Sequence, residues 1–169
     1  MSLIKKLSAL LITICFFISS SNAEELKKVG KFKDWETIVL NDKNEVVCFA
    51  QTKPILQSPK SKKREARLFV SFRPSDKISD EISTTSGYEF NNQNSILATS
   101  GKSKYKFDIT QDDFAWIASN KIERKMIKTM KRGSRIMITG YNKSGSQTID
   151  HYSLLGFTKA YNVAKKSCT

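Results

Sequence analysis

Between residues 35 and 155 the chain is divided into nine short runs of strand-forming residues. They are Trp35–Leu40, Val46–Gln51, Ala66–Arg73, Glu81–Thr85, Ser95–Ala98, Lys104–Ile109, Phe114–Ala118, Arg135–Tyr141 and Thr148–Leu155. Each is rich in Val, Ile, Thr, Tyr and Phe and is bounded by turn formers. Several alternate with period two. Leu68, Val70 and Phe72 share one face, and Ile136 and Ile138 share one opposite Arg135, Met137 and Thr139. Asn142-Lys143-Ser144-Gly145 reads as a hairpin loop joining the last two runs, and Asn41-Asp42-Lys43-Asn44 as one joining the first two.

Only two stretches break this pattern. In Asn120–Arg132, Ile122, Met126, Ile127 and Met130 recur at helical spacing, with Asn120 as N-cap, Glu123 three residues on and Gly133 as the stop. In Phe157–Lys166, Phe157, Ala160, Tyr161 and Ala164 form one apolar face, and Gly156 marks the change from strand to helix. Many short strands with one or two short helices at the edges predict an all-β sandwich rather than a parallel α/β sheet. Glu24 to Lys33 reads as a loose basic segment. Gln57–Arg64 reads as a loop projecting from a hairpin.

Residues 1–23 read as a removable leader. Lys5 and Lys6 form a basic start, Leu7 to Ile18 is an apolar stretch too short to span a bilayer, and Ser21-Asn22-Ala23 supplies small residues for cleavage after Ala23. The alternative is an uncleaved N-terminal anchor. Cys15 follows Ile14, where a lipoprotein signal needs a small residue. Cleavage leaves residues 24–169 as one domain without a membrane-spanning segment, exported to the periplasm or beyond. Two cysteines remain, Cys48 and Cys168. An even count in an oxidising compartment predicts one disulfide between them; the alternative is a buried free Cys48 and a frayed Cys168. No C-x-x-C is present, which argues against a thioredoxin-like role.

Little in the sequence points to catalysis. His151 is the lone histidine and stands beside Asp150, but no G-x-S-x-G elbow supplies a positioned serine. A hydrolase using His151 stays as a competing reading, against a histidine at a sheet edge. One histidine and two paired cysteines cannot build a zinc site. Asp112-Asp113 lacks calcium-loop spacing and reads as a turn. No phosphate-binding glycine loop is found, and no cofactor or metal is expected.

The charge carries the remaining signal. The 146 residues after the leader hold 27 Lys+Arg against 16 Asp+Glu, a net charge of +11. Lys60, Lys62, Lys63 and Arg64 crowd one loop, and Arg124, Lys125 and Lys128 lie on the polar side of the first helix. These seven residues are the candidates for contact with anionic envelope components; the bland alternative is a solubilising surface. Export makes nucleic acid an unsuitable partner. Lys and Arg are almost never buried without partners, so the loop bases are expected in solvent.

The order of short motifs resembles one family. Phe32-Lys33-Asp34-Trp35 is followed by Val47-Cys48-Phe49-Ala50, Val70-Ser71-Phe72-Arg73-Pro74, Asp80-Glu81-Ile82-Ser83 and Gly87-Tyr88-Glu89-Phe90. Then come Ala115-Trp116, Met130-Lys131-Arg132-Gly133-Ser134, Ile138-Thr139-Gly140, Tyr152 to Ala160 and a terminal Cys168. This resembles the invasion-associated locus B family of exported alphaproteobacterial proteins. The resemblance implies an immunoglobulin-like β-sandwich in the periplasm or cell envelope, without known catalytic residues. Trp35 and Trp116 are large and are expected to fill the core between the sheets, and Cys168 is expected to fasten the C-terminal helix. The function expected is that of a non-enzymatic binding or interaction module, or alternatively a structural or assembly factor, contacting an anionic envelope component or another envelope protein.

Overall fold

The computed structural model describes residues 25–42, 45–60 and 63–169. The expected leader, its cleavage site and Lys62 lie outside the described residues. In chain order the elements are β1 (Glu25–Phe32), β2 (Trp35–Asp42), β3 (Glu45–Thr52), β4 (Leu56–Ser58), β5 (Arg67–Arg73) and β6 (Ile78–Thr85). There follow β7 (Ile96–Ser100), β8 (Ser103–Phe107), β9 (Ile109–Gln111), β10 (Phe114–Trp116), α1 (Asn120–Arg132), β11 (Arg135–Tyr141), β12 (Gln147–Ser153) and α2 (Phe157–Ser167).

Every pairing is antiparallel, and the strands form two sheets. One has seven strands in the order β1-β2-β3-β5-β6-β10-β9, and the other five in the order β4-β12-β11-β7-β8. The expected all-β sandwich is therefore the fold. Its core lies between the inner faces, where Leu68, Val70 and Ile82 of the larger sheet meet Ala98, Ile136, Ile138 and Tyr152 of the smaller.

The smaller sheet does not cover the whole inner face of the larger. The two helices close the gap. α1 packs against β6 and β8 through Met126, Ile127 and Met130, and α2 packs against β2 and β3 through Phe157, Ala160, Tyr161 and Ala164. The start of α2 is tightly seated. Gly156 has φ +92°, and a Cβ there would lie 1.8 Å from the Phe32 carbonyl oxygen. No side chain fits that approach, and the left-handed backbone itself favours glycine. Beside it Trp35, fully buried, meets Phe157 edge-on at 4.8 Å and donates its indole N–H to the Ser153 carbonyl at 2.9 Å. The far end of α2 is held by the Cys48–Cys168 disulfide, with the two Cα atoms 5.8 Å apart.

Several local expectations need correction. The segment expected to be loose is a strand from Glu25 to Phe32: β1 pairs with β2 along its length, with a bulge between Lys28 and Gly30. Its lysines suit an edge strand, where charge discourages pairing with other chains. Gln57–Arg64 does not project from a simple hairpin between β3 and β5, because Gln57 and Ser58 belong to β4, which crosses to the other sheet and pairs with β12. Trp116 is not in the core. Its neighbour Ala115 is fully buried, and successive strand residues point to opposite faces, so Trp116 lies on the outer face. Finally, the N-cap of α1 is Ser119 rather than Asn120, and Glu123 does not close a capping box. β10 pairs with β6 only from Ser83 to Thr85, so the Ile82 N–H lacks a strand partner there. The buried Glu123 carboxylate accepts that N–H at 2.9 Å. Burial, with Glu81 and Asp80 nearby, raises the Glu123 pKa above the usual carboxylate value against that hydrogen bond.

The disulfide closes a loop of 120 positions. In the chain-entropy model this stabilises by about 4–5 kcal/mol. Replacing Cys168 with Ser should lower the melting temperature by on the order of 10 °C. Hydrogen exchange should then rise first in α2. Peptide mapping without reductant should recover Cys48 linked to Cys168; an unchanged melting temperature in the variant would contradict the fastening role.

Candidate functional site

Alternation along β12 decides the fate of the Asp150–His151 pair. Adjacent strand residues face opposite sides. Asp150, fully buried, points into the sandwich, whereas His151 lies on the outer face opposite Leu56 and Met137. The carboxylate–imidazole contact that a hydrolytic triad needs is absent from this geometry. Asp112 and Asp113 form the β9–β10 turn, as expected: Asp112 has φ +53°, and Asp113 accepts a hydrogen bond from the Thr85 hydroxyl at 3.0 Å. Among the described residues, no group of three or more His, Cys, Asp and Glu side chains converges to hold a metal ion.

Asp150 is instead held by Arg64. The guanidinium grips the carboxylate with both terminal nitrogens, Nη1 to Oδ2 at 2.9 Å and Nη2 to Oδ1 at 2.6 Å. Nη1 also donates to the Ser86 carbonyl at 2.9 Å, and Gln57 donates to Oδ1 at 3.2 Å. The Arg64 side chain is only 9% exposed. This overturns the expectation that all four loop bases face solvent. The physical reason is the inward register of Asp150, which shares a face with Thr148 and Tyr152. A buried carboxylate needs a charged partner, and the β4 crossing delivers one. Only Lys60 and Lys63 of the described loop bases are exposed.

Lys60 and Lys63 are not brought together with the helix bases either. They follow β4 at one edge of the five-stranded sheet, while α1 packs beside β8 at the other edge. What α1 does join is a set of bases that the sequence reading passed over. Lys104 and Lys106 are exposed on β8 because Tyr105 and Phe107 take the inward positions. The Tyr105 and Thr129 hydroxyls meet at 2.6 Å and bind β8 to α1. Lys131 of α1 lies over the Tyr161 ring of α2, with Nζ 3.9 Å from the centroid. Burial and the nearby Lys165 lower its pKa, while Asp80 acts the other way.

The acids explain why this layer stays cationic. Residues 95–107 and 114–169 contain 14 Lys+Arg and two acids, Glu123 and Asp150. Both acids are buried, Glu123 against Ile82 and Asp150 against Arg64. Among the described ion pairs, only Lys143, bonded to Glu89 at 2.5 Å, belongs to those 14 bases. The remainder of the mature chain holds 13 Lys+Arg and 14 acids. Charge is thus separated along the chain: β7, β8, β11, β12 and the helices carry the excess of bases, and the other segments, the β4 crossing with Lys60, Lys63 and Arg64 among them, sum to near neutral. Arg124, Lys125 and Lys128 sit within this cationic layer and are all exposed.

A second feature lies at the far margin of the larger sheet. A groove of about 470 Å³ runs between β9, β10 and the start of α1, lined by Trp116, Gln111, Arg73 and Glu123. Arg73 is engaged there with Glu81, Nη1 to Oε1 at 2.9 Å and Nη2 to Oε2 at 2.8 Å.

A family model described as Invasion associated locus B protein matches residues 35–165. No curated protein and no solved structure matches the chain.

The two kinds of loop base should separate cleanly on mutation. Arg64→Gln removes one partner of a buried pair and should cost about 3–5 kcal/mol. Lys60→Gln and Lys63→Gln, at exposed positions, should stay within about 0.5 kcal/mol of the parent. Urea unfolding of the three variants measures this; an Arg64 variant as stable as the lysine variants would contradict the buried role.

Proposed function

The chain belongs to the invasion associated locus B family, and from that premise we propose that it is an exported, non-enzymatic binding module of the cell envelope. Its cationic layer engages an anionic envelope surface, through lipid head groups or polyanionic sugars. The observation that carries this reading is the removal of both acids from the surface of the layer. A solubilising surface needs net charge but not segregation, since interspersed signs serve solubility as well. A single-signed field over β8, α1 and α2 acts on polyanions at a distance. The basic leader and the disulfide support export, and the opposite facing of Asp150 and His151 on β12 favours a binding role over hydrolysis by that pair. Among the described residues no helix is long and apolar enough to cross a membrane.

Co-sedimentation of the mature, oxidised protein with anionic and with neutral vesicles tests the proposal. Binding should be confined to the anionic vesicles. It should fall steeply as salt approaches the physiological range, where the Debye length is about 8 Å. Equal binding to both vesicle types, or none to either at low salt, would overturn it.

A further inference from the structure

Among the described residues, other elements cover the seven-stranded sheet on one face only; on its second face Phe49, Phe69, Phe114 and Trp116 are half-buried by one another and by their neighbours. The smaller sheet and both helices lie against the face that holds Leu68, Val70 and Ile82. Directly paired residues share a face, so the register assigns Ile38, Phe49, Phe69, Phe114 and Trp116 to the other. An antiparallel sheet exposed on one side normally carries polar residues there. This one carries a row of aromatic rings in mutual contact. Phe49 and Phe69 are 6.0 Å apart, Phe69 and Phe114 6.1 Å, and Phe114 and Trp116 5.7 Å. Small Ser71 and Ser83 lie between the rings. Charges on this face include two ion pairs, Arg73 with Glu81 and Lys28 with Glu36. Aromatic rings clustered on an outer face mark a protein interface.

We propose that this outer face is a homodimer interface, occupied by the same face of a second copy across a two-fold axis. Charge selects the occupant. The cationic layer of one copy repels the cationic layer of another, whereas the outer face of the larger sheet holds both signs, Lys28 and Arg73 beside Glu36 and Glu81, and lets two copies approach. These pairs carry both signs, so a two-fold rotation can set each sign against its opposite. The size is adequate. Seven strands spaced about 4.8 Å apart, the longer ones rising about 3.3 Å per residue, span roughly 600 Å² in plan. A standard interface buries about 800 Å² of accessible surface per partner, and side-chain relief adds to the planar figure. Such a dimer turns its two cationic layers outward in opposite directions. The inference stands apart from the anionic-surface reading, because it rests on the opposite face.

Sedimentation velocity of the mature, oxidised protein across the micromolar range tests it. The expected result is the mass of two chains at high concentration, reverting to one on dilution. Trp116 emission should shift with that dissociation, since Trp35 is fully buried and does not report on the face. Ile109→Lys changes an exposed residue opposite Trp116 and should weaken the dimer at least tenfold with thermal unfolding unchanged. Phe69→Ser should do the same from the centre, and circular dichroism checks that it folds. A wild-type mass of one chain throughout would overturn the proposal. So would a dimer that survives Ile109→Lys, or growth beyond two chains.

Discussion

The seating of α2 is the constraint on which the rest of the sandwich depends. Its first residue follows a glycine whose missing side chain makes room for the Phe32 carbonyl, and its last turn is joined to β3 by a disulfide. Between these points the Thr37 hydroxyl donates to the Ala160 carbonyl at 2.9 Å, and Phe72 packs on Tyr161 with centroids 5.5 Å apart. The helix thus covers the part of the larger sheet that the smaller one does not reach. Without it, Trp35, Thr37 and Cys48, all fully buried, would lose their cover. The Tyr161 hydroxyl donates to Asp80 at 2.5 Å, and burial together with that bond raises its pKa. A helix held at its start, middle and end is a rigid base for the lysines on its outer side.

Rigidity and charge are linked through the buried acids. Glu123 ties α1 to β6 and Asp150 ties β12 to the β4 crossing, so each carboxylate does structural work inside the fold. Their removal from the surface leaves the bases of the same segments unopposed. Helix α1 shows the arrangement in one element: Met126, Ile127, Met130 and Glu123 face inward, and Arg124, Lys125 and Lys128 face out. The same residues that complete the core therefore orient the cationic face. The larger sheet keeps acids at the surface, in ion pairs such as Lys28 with Glu36.

Elements defined by local chemistry were legible in the sequence. The span of α1, the apolar face of α2, the β11–β12 hairpin and the cysteine pair all follow from residue spacing within a short stretch or from a count. Features set by distant contacts were not. Nothing near Arg64 indicates burial; the signal lay 86 positions away, in the inward register of Asp150. Strand β1 is disguised by its lysines, which an edge strand tolerates. Size alone suggests a core position for Trp116, whereas the alternation with Ala115 in a three-residue strand puts it on the other face. The cationic layer was half visible. The helix bases stood out as a run, whereas Lys104 and Lys106 alternate with Tyr105 and Phe107 and so look like an ordinary strand. Counting acids over the last third of the chain, rather than counting bases, is what reveals the layer.

If anionic surfaces are engaged by this layer and not by net charge as such, two variants of equal charge must behave differently. In one, Arg124, Lys125 and Lys128 of α1 become Gln. In the other, the exposed Lys31, Lys53 and Lys77 outside the layer become Gln. Affinity for anionic vesicles at one fixed salt concentration should fall on the order of 100-fold for the α1 set, at about 1 kcal/mol per base near the surface. The second set should lose less than about threefold. Equal losses in the two variants would show that only net charge matters and would contradict the account.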